Sequence, residues 1–189
     1  FDDRLEKLSL DKKFDVGYCG NVYGRREDFY EYFGKFAETD RSVCIQGNWL
    51  RKKYGDRDFS LDNFPHFMFF GRTPHWSTLP TIAMSKSVFH FSNPHQQNIG
   101  MPTARVFEAL MGKSVLFSSG KIRNIDRFVP QELIVDTGDE LFEKWNQIEF
   151  DNSWDEYRQL FVDKLGIYEH TYDYRAKQLI SYINKYYGG

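Results

Sequence analysis

Cysteine is scarce in this 189-residue sequence, with two residues, and proline nearly so, with six. Two cysteines cannot build a disulfide framework or a four-cysteine zinc site. Six prolines and 14 glycines exclude a collagenous or low-complexity chain. No run approaches the roughly 18 apolar residues of a membrane helix, so no membrane partner is expected. Excess charge is missing too: 25 Lys and Arg stand against 27 Asp and Glu, a formal charge of −2. That balance excludes a uniformly basic nucleic-acid coat and an acidic disordered tail. The opening residues Phe1-Asp2-Asp3-Arg4 carry no charged-then-apolar signal pattern and no initiator Met, so the sequence is expected to begin inside a longer protein. Cys19 and Cys44 both lie in apolar, strand-like runs. They read as two buried free thiols in a reducing, cytoplasmic setting.

What the sequence has in quantity is aromatic: 18 Phe, 12 Tyr and four Trp, 18% of the chain. We read these first as core filling. A hydrophobic share of 41% and a charged share of 28% are ordinary for a globular protein. At this length about 70% of the unfolded surface can be buried, enough for one substantial core.

Short apolar runs alternate with helix-length segments. Phe14 to Cys19 reads as a strand, broken at Gly20-Asn21. Arg25 to Ala37 reads as a helix, because Phe29, Tyr32, Phe33 and Phe36 recur at spacings of three and four. Ser42 to Ile45 and Phe67 to Phe70 read as strands, with a loop-like stretch from Leu50 to Pro65 between them. Ser77 to Ser87 reads as a helix and Val88 to Phe91 as a strand. Ser92 to Met101 reads as a loop, followed by a helix from near Pro102 to Met111 that ends at Gly112. Val115 to Phe117 and Leu133 to Val135 complete six strands. Asp139 to Trp145, Trp154 to Leu165 and Tyr172 to Tyr186 are further helices. The alternation predicts an α/β fold: one Rossmann-like, doubly wound parallel sheet of about six strands, with 151–189 forming additional C-terminal helices.

In such a sheet ligands bind beyond the carboxyl ends of the strands. Two loops there carry suggestive residues. In the first, Gly20-Asn21-Val22-Tyr23-Gly24-Arg25-Arg26-Glu27 precedes a helix. Glycines let backbone approach a ligand, and the helix start offers N–H groups and positive charge to a phosphate. The segment matches neither a dinucleotide fingerprint nor a P-loop, and alone it equally describes a solvated helix start. In the second, Gly100 to Leu110 sets Arg105 and Glu108 three residues apart on one helix face, with Val106, Ala109 and Leu110 toward the core. A cation in the first turn opposes the helix dipole, which a bound anion would offset. Glu108 is suited to accept two ribose hydroxyls. A surface ion pair explains the same spacing.

Thr103-Ala104-Arg105-Val106-Phe107-Glu108-Ala109-Leu110, then Gly112 and the strand after it, resembles the donor-binding half of GT-B glycosyltransferases. The patterns of phage DNA glucosyltransferases and CgeB-like glycosyltransferases are similar to it. Asp15 to Asn21 with Arg26-Glu27 resembles the first strand and phosphate loop of that half. Phe69 to Thr73, Leu79-Pro80 and Ser85-Lys86 resemble the segment that meets the nucleotide base. His170-Thr171-Tyr172, Arg175 and Ala176 resemble a closing helix.

The resemblance implies roles. Glu108 would hold the ribose hydroxyls, and Arg105 and Arg26 the diphosphate, with Arg25 an equal candidate beside Arg26. Thr73 would approach the base through its backbone. Gly20, Asn21, Gly100 and Thr103 would complete the donor site, with His95 near the sugar or its phosphates. Tyr23 stands where some phage enzymes carry a further arginine. The co-substrate implied is a UDP-sugar, UDP-glucose first. No Asp-x-Asp metal motif is assigned, because Asp56-Arg57-Asp58 falls in the loop-like stretch; whether a divalent metal assists is open. The N-terminal acceptor domain of the GT-B pair is not expected within this sequence, and the catalytic base belongs with it. Among the histidines that invite a base, His66, His75, His90 and His95, the alternation of His90 inside a strand reads as structural. Double-stranded DNA is a candidate acceptor, with Arg51 to Arg57 as a candidate phosphate contact and Trp49 beside it. A composition rich in Phe, Tyr, Lys, Asp and Asn is compatible with a phage gene. A CgeB-like enzyme with another acceptor, and a non-catalytic nucleotide-binding domain, are the alternatives.

Overall fold

The computed structural model describes residues 11–49, 61–72, 78–100, 102–165 and 172–187. Thr73, His75, the stretch 51–57 and His170-Thr171 lie outside the described residues.

Six strands form one sheet: β1 (Phe14–Cys19), β2 (Val43–Gln46), β3 (Phe67–Phe70), β4 (Ser85–His90), β5 (Val115–Ser119) and β6 (Ile134–Val135). Their order is β3-β2-β1-β4-β5-β6, and every pairing is parallel. This is the Rossmann order, and the strand sequence reverses between β1 and β4. The inner strands are buried along nearly their whole length, as expected for a sheet covered on both faces.

The helices are α1 (Arg26–Ala37), α2 (Thr78–Ala83), α3 (Pro94–Ile99), α4 (Arg105–Met111), α5 (Gly138–Asp151), α6 (Trp154–Leu165) and α7 (Tyr172–Tyr187). Helices α1 and α5 pack together on one face of the sheet; α2, α4 and α6 share the other. The aromatic excess concentrates under α1, where Phe29, Tyr32, Phe33 and Phe36 are all fully buried. Tyr18 of β1 stacks on Phe91 with centroids 4.4 Å apart, and Phe29 meets Trp49 at 4.3 Å. Trp49 is therefore a core residue and offers no face to a nucleic-acid base. Cys19 and Cys44 are both free and buried.

Several boundaries differ from the sequence reading, and α5 runs on to Asp151 where the reading ended at Trp145. Strand β4 begins at Ser85, so Ser85-Lys86-Ser87 belongs to the sheet and not to the preceding helix. Its buried hydroxyls are satisfied across the fold, Ser85 donating to the Thr81 carbonyl at 3.0 Å and Ser87 to the Asp15 carbonyl at 3.0 Å. The stretch 92–101 contains α3, capped by the Asn93 side chain, which accepts from the Gln96 N–H at 2.9 Å. Pro94 fills its first turn and Gly100 ends it at φ 66°. Helix α4 starts at Arg105, three residues later than the sequence suggested.

Candidate functional site

The carboxyl ends of β1 and β4 face the point where the strand order reverses. After β1 the chain turns at Gly20-Asn21, and after β2 at Gly47-Asn48. These turns brace each other. The Val22 N–H donates to Asn48 Oδ1 at 3.1 Å, and the Asn48 N–H to Asn21 Oδ1 at 3.3 Å. Trp49 Nε1 donates to the Gly20 carbonyl at 2.8 Å. Gly47 sits at φ 148°, and a Cβ there would overlap the Gly20 carbonyl oxygen, so the close approach requires glycine.

Two cavities open at this rim. One, of about 220 Å³, is lined by Gly20, Asn21, Arg25, His90, Thr103 and Arg105 among others. The other, of about 210 Å³, is lined by Gly20, Asn21, Gln46, Arg72, Thr78 and Arg105 among others. Arg105 belongs to both and stands between them. Its Nε donates to the Cys19 carbonyl at 2.9 Å, and its Nη1 meets Glu108 Oε2 one turn on. Glu108 is buried, at 6% exposure. The i,i+3 pair is thus an internal clamp and not a surface ion pair.

Arg25 caps the start of α1 without a side-chain cap bond. Instead its Nη1 donates to the Asn21 carbonyl at 2.8 Å and its Nη2 to Gln96 Oε1 at 2.9 Å. Its buried Nε has no hydrogen-bond partner, and neither does the buried Ser92 Oγ. The short α3 that carries Gln96 is itself tied down. Gln97 Nε2 donates to Asp28 Oδ2 at 3.0 Å and to the Ser92 carbonyl at 2.7 Å.

Of the residues singled out in the sequence, Gly20, Asn21, Arg25, Thr103 and Arg105 converge on the first cavity, with Glu108 behind Arg105. Arg26 lies over the Tyr30 ring at 5.8 Å and lines neither cavity. His95 is exposed on α3, and Gly100 closes that helix against the Arg123 carbonyl. Gln46 and Thr78 line the second cavity without having been singled out in the sequence, whereas Cys19 and Arg72, which also line it, fall in the segments that resemble the phosphate loop and the base-meeting stretch. A usable signal existed for Gln46, a polar residue ending an apolar run just before Gly47.

His90 is 2% exposed, between Ser118 Oγ at 3.1 Å and Thr103 Oγ1 at 3.0 Å. Burial, aided by Arg105 and Arg25, pushes its pKa down from 6.5 to about 3, so the ring is neutral at ordinary pH. Burial also raises the Cys19 thiol well above its usual range, which makes it a poor nucleophile. From pH 6.5 down to about 3 the unfolded chain holds a proton on His90 that the folded chain does not. Stability from this residue is therefore complete above pH 6.5 and is lost as pH falls, by up to about 1.4 kcal/mol per unit. Urea unfolding at a series of pH values should show a shallower acid slope for His90→Gln than for the unsubstituted protein.

Among the described residues no three His, Cys, Asp or Glu side chains converge to hold a metal ion, and no helix is long and apolar enough to cross a membrane. A larger groove, about 690 Å³, lies between α1 and α5, away from the strand ends.

The sequence matches no protein-family model and no curated protein sequence. The fold does have solved counterparts. T4 phage β-glucosyltransferase superposes with a TM-score of 0.70 at 17% identity, over 93% of this chain and 51% of that one. It has been solved with UDP-glucose, and with UDP and Mn2+. Anabaena HepE, solved with UDP-glucose, gives a TM-score of 0.63 at 12% identity over 96% of this chain and 51% of that one. AviGT4, a glycosyltransferase of avilamycin A biosynthesis, gives 0.57 at 17% identity over 91% and 53%. The chain spans about half the length of each of these glycosyltransferases. Its fold is that of one half of a GT-B glycosyltransferase.

Proposed function

We propose that this chain is the donor-binding half of a GT-B glycosyltransferase and that it takes a UDP-sugar, UDP-glucose first among them. The observation that carries this reading is the position of Arg105, held by Cys19 and Glu108 between two cavities at the switch point of the sheet. A nucleoside diphosphate sugar has two bulky ends joined by an anionic bridge. The bridge suits Arg105, and the cavity with Arg72 and Thr78 suits the nucleoside, with Thr73 next in sequence. The cavity with Arg25 and Thr103 suits the distal phosphate and sugar. Arg25 lines that cavity and Arg26 does not, which supports Arg25 for that phosphate. A carboxylate has lone pairs beyond those Arg105 takes, and Glu108 would use them for ribose hydroxyls.

Glycosyl transfer builds negative charge on the departing diphosphate, and preorganised guanidinium groups stabilise it as it forms. The described side chains supply no ligand cluster for a metal, so a divalent cation would be held mainly through the diphosphate oxygens. The catalytic base and the acceptor site belong, on this reading, to the other half of the GT-B pair. Duplex DNA is the acceptor class to assay first, supported by the DNA-modifying activity of the T4 phage enzyme. A CgeB-like enzyme with another acceptor, or a non-catalytic nucleotide-binding domain, would share the donor site.

Calorimetric titration tests the reading. UDP should bind saturably and in preference to GDP, ADP and CMP, and Glu108→Ala should weaken it about tenfold or more. Indifference of UDP affinity to Glu108→Ala would remove the ribose role. Binding of UDP-glucose without transfer by a protein carrying both halves would favour the non-catalytic reading.

A further inference from the structure

The proposed sugar cavity has a polar floor whose donor and acceptor roles follow from its hydrogen bonds. Three side chains form a line: Thr103 Oγ1 to His90 Nε2 at 3.0 Å, and His90 Nδ1 to Ser118 Oγ at 3.1 Å. The Ser118 hydroxyl also reaches the His90 carbonyl at 3.3 Å. A carbonyl only accepts, so Ser118 spends its one proton there. Ser118 Oγ must then accept from His90 Nδ1–H. A neutral imidazole carries one N–H, so Nε2 is left as an acceptor and takes the proton of the Thr103 hydroxyl. The hydroxyl is thereby turned round: its proton points into the protein. One lone pair faces the Arg105 N–H at 3.3 Å, and the second remains for a ligand in the cavity that Thr103 lines.

We infer that His90 is a positioning residue that fixes Thr103 as a hydrogen-bond acceptor, and that Thr103 thereby selects a donor-sugar hydroxyl in the cavity beside Arg25. This rests on the donor-site reading above and adds to it the polarity of the sugar contact. Ser118 and His90 are buried in the sheet, at 0% and 2% exposure, so the line cannot be re-formed by solvent. The sugar hydroxyl would be the donor, and a group able only to accept would face a lone pair.

The test is the ratio of UDP to UDP-glucose dissociation constants, measured by calorimetry. Thr103→Val should lower the advantage of UDP-glucose over UDP about fivefold. Thr103→Ser should restore the ratio. His90→Leu should lower it as Thr103→Val does, and His90→Gln, which retains an acceptor, should preserve it. Thermal unfolding of each variant identifies any that fails to fold. In the unsubstituted protein, nitrogen-15 shifts of the His90 ring should report the Nδ1–H tautomer. An Nε2–H tautomer, or a Thr103→Val variant that weakens UDP and UDP-glucose equally, would overturn the inference while leaving the donor reading intact. No binding of UDP by the unsubstituted chain would overturn both.

Discussion

Arg105→Ala is expected to weaken UDP binding about 100-fold or more and to destabilise the fold as well. The binding loss follows from the removal of charge-assisted hydrogen bonds to a diphosphate, each worth about 1.5–3 kcal/mol. The stability loss has a separate origin. Glu108 is 6% exposed and its Oε2 meets the guanidinium. Removing the arginine partner of this buried carboxylate costs about 1–3 kcal/mol, since the Arg105 side chain is itself 25% exposed. The Cys19 carbonyl at the end of β1 loses its donor too. The two effects separate in the double variant. Arg105→Ala with Glu108→Ala should recover part of the stability, because the buried carboxylate leaves together with its arginine, and none of the binding. Urea unfolding and calorimetry on the same preparations check both. Recovery of UDP affinity in the double variant would mean that Arg105 serves the fold alone.

Trp145→Ala is expected to cost about 3–5 kcal/mol, a large part of the stability of an ordinary domain. Trp145 is fully buried on α5 and holds that helix to both α1 and the sheet. Its ring meets Phe36 edge-on at 5.9 Å and Trp154 at 5.6 Å. Arg41 covers it at 4.7 Å, and its Nε1 donates to Ser87 Oγ at 3.0 Å in β4. Deletion leaves a large cavity and removes the donor to a buried hydroxyl. Trp145→Phe should cost less, since it keeps most of the packing and loses the hydrogen bond. Neither change should alter the UDP affinity of the protein that remains folded, because α5 lies along the sheet face and not at the strand ends. A loss of affinity without a loss of stability would show that the site and the helix layer are coupled.

The parts of this fold legible in the sequence are those governed by local periodicity. The apolar stripe of α1 marked a helix, and the four aromatics on it are the buried ones. The spacing of Arg105 and Glu108 placed both on one face of α4, where they form the clamp. Illegible parts depended on distant partners. Ser85 and Ser87 look too polar for a central strand until their hydroxyls are seen to meet carbonyls of Thr81 and Asp15. Asn93-Pro94 does carry a helix-start signal, but a six-residue helix is too short to show periodicity. Gln46 and Arg72 reach the same cavity because β2 lies between β1 and β3, an adjacency fixed by the strand order. His90 was legible as a buried strand residue, and its link to Thr103 was not, because it needs the turn before α4 folded over the end of β4.

The central claim is that a nucleoside diphosphate sits at the β1–β4 switch point with Arg105 at its phosphates. Amide shift mapping by NMR during a UDP titration tests it most directly. The account predicts that the perturbed amides cluster at Gly20, Asn21, Gly47, Thr103, Arg105 and Glu108 and saturate together. Perturbation centred elsewhere, as in the groove formed by Lys35, Phe142 and Phe150, would contradict it, and so would a spectrum that UDP leaves unchanged.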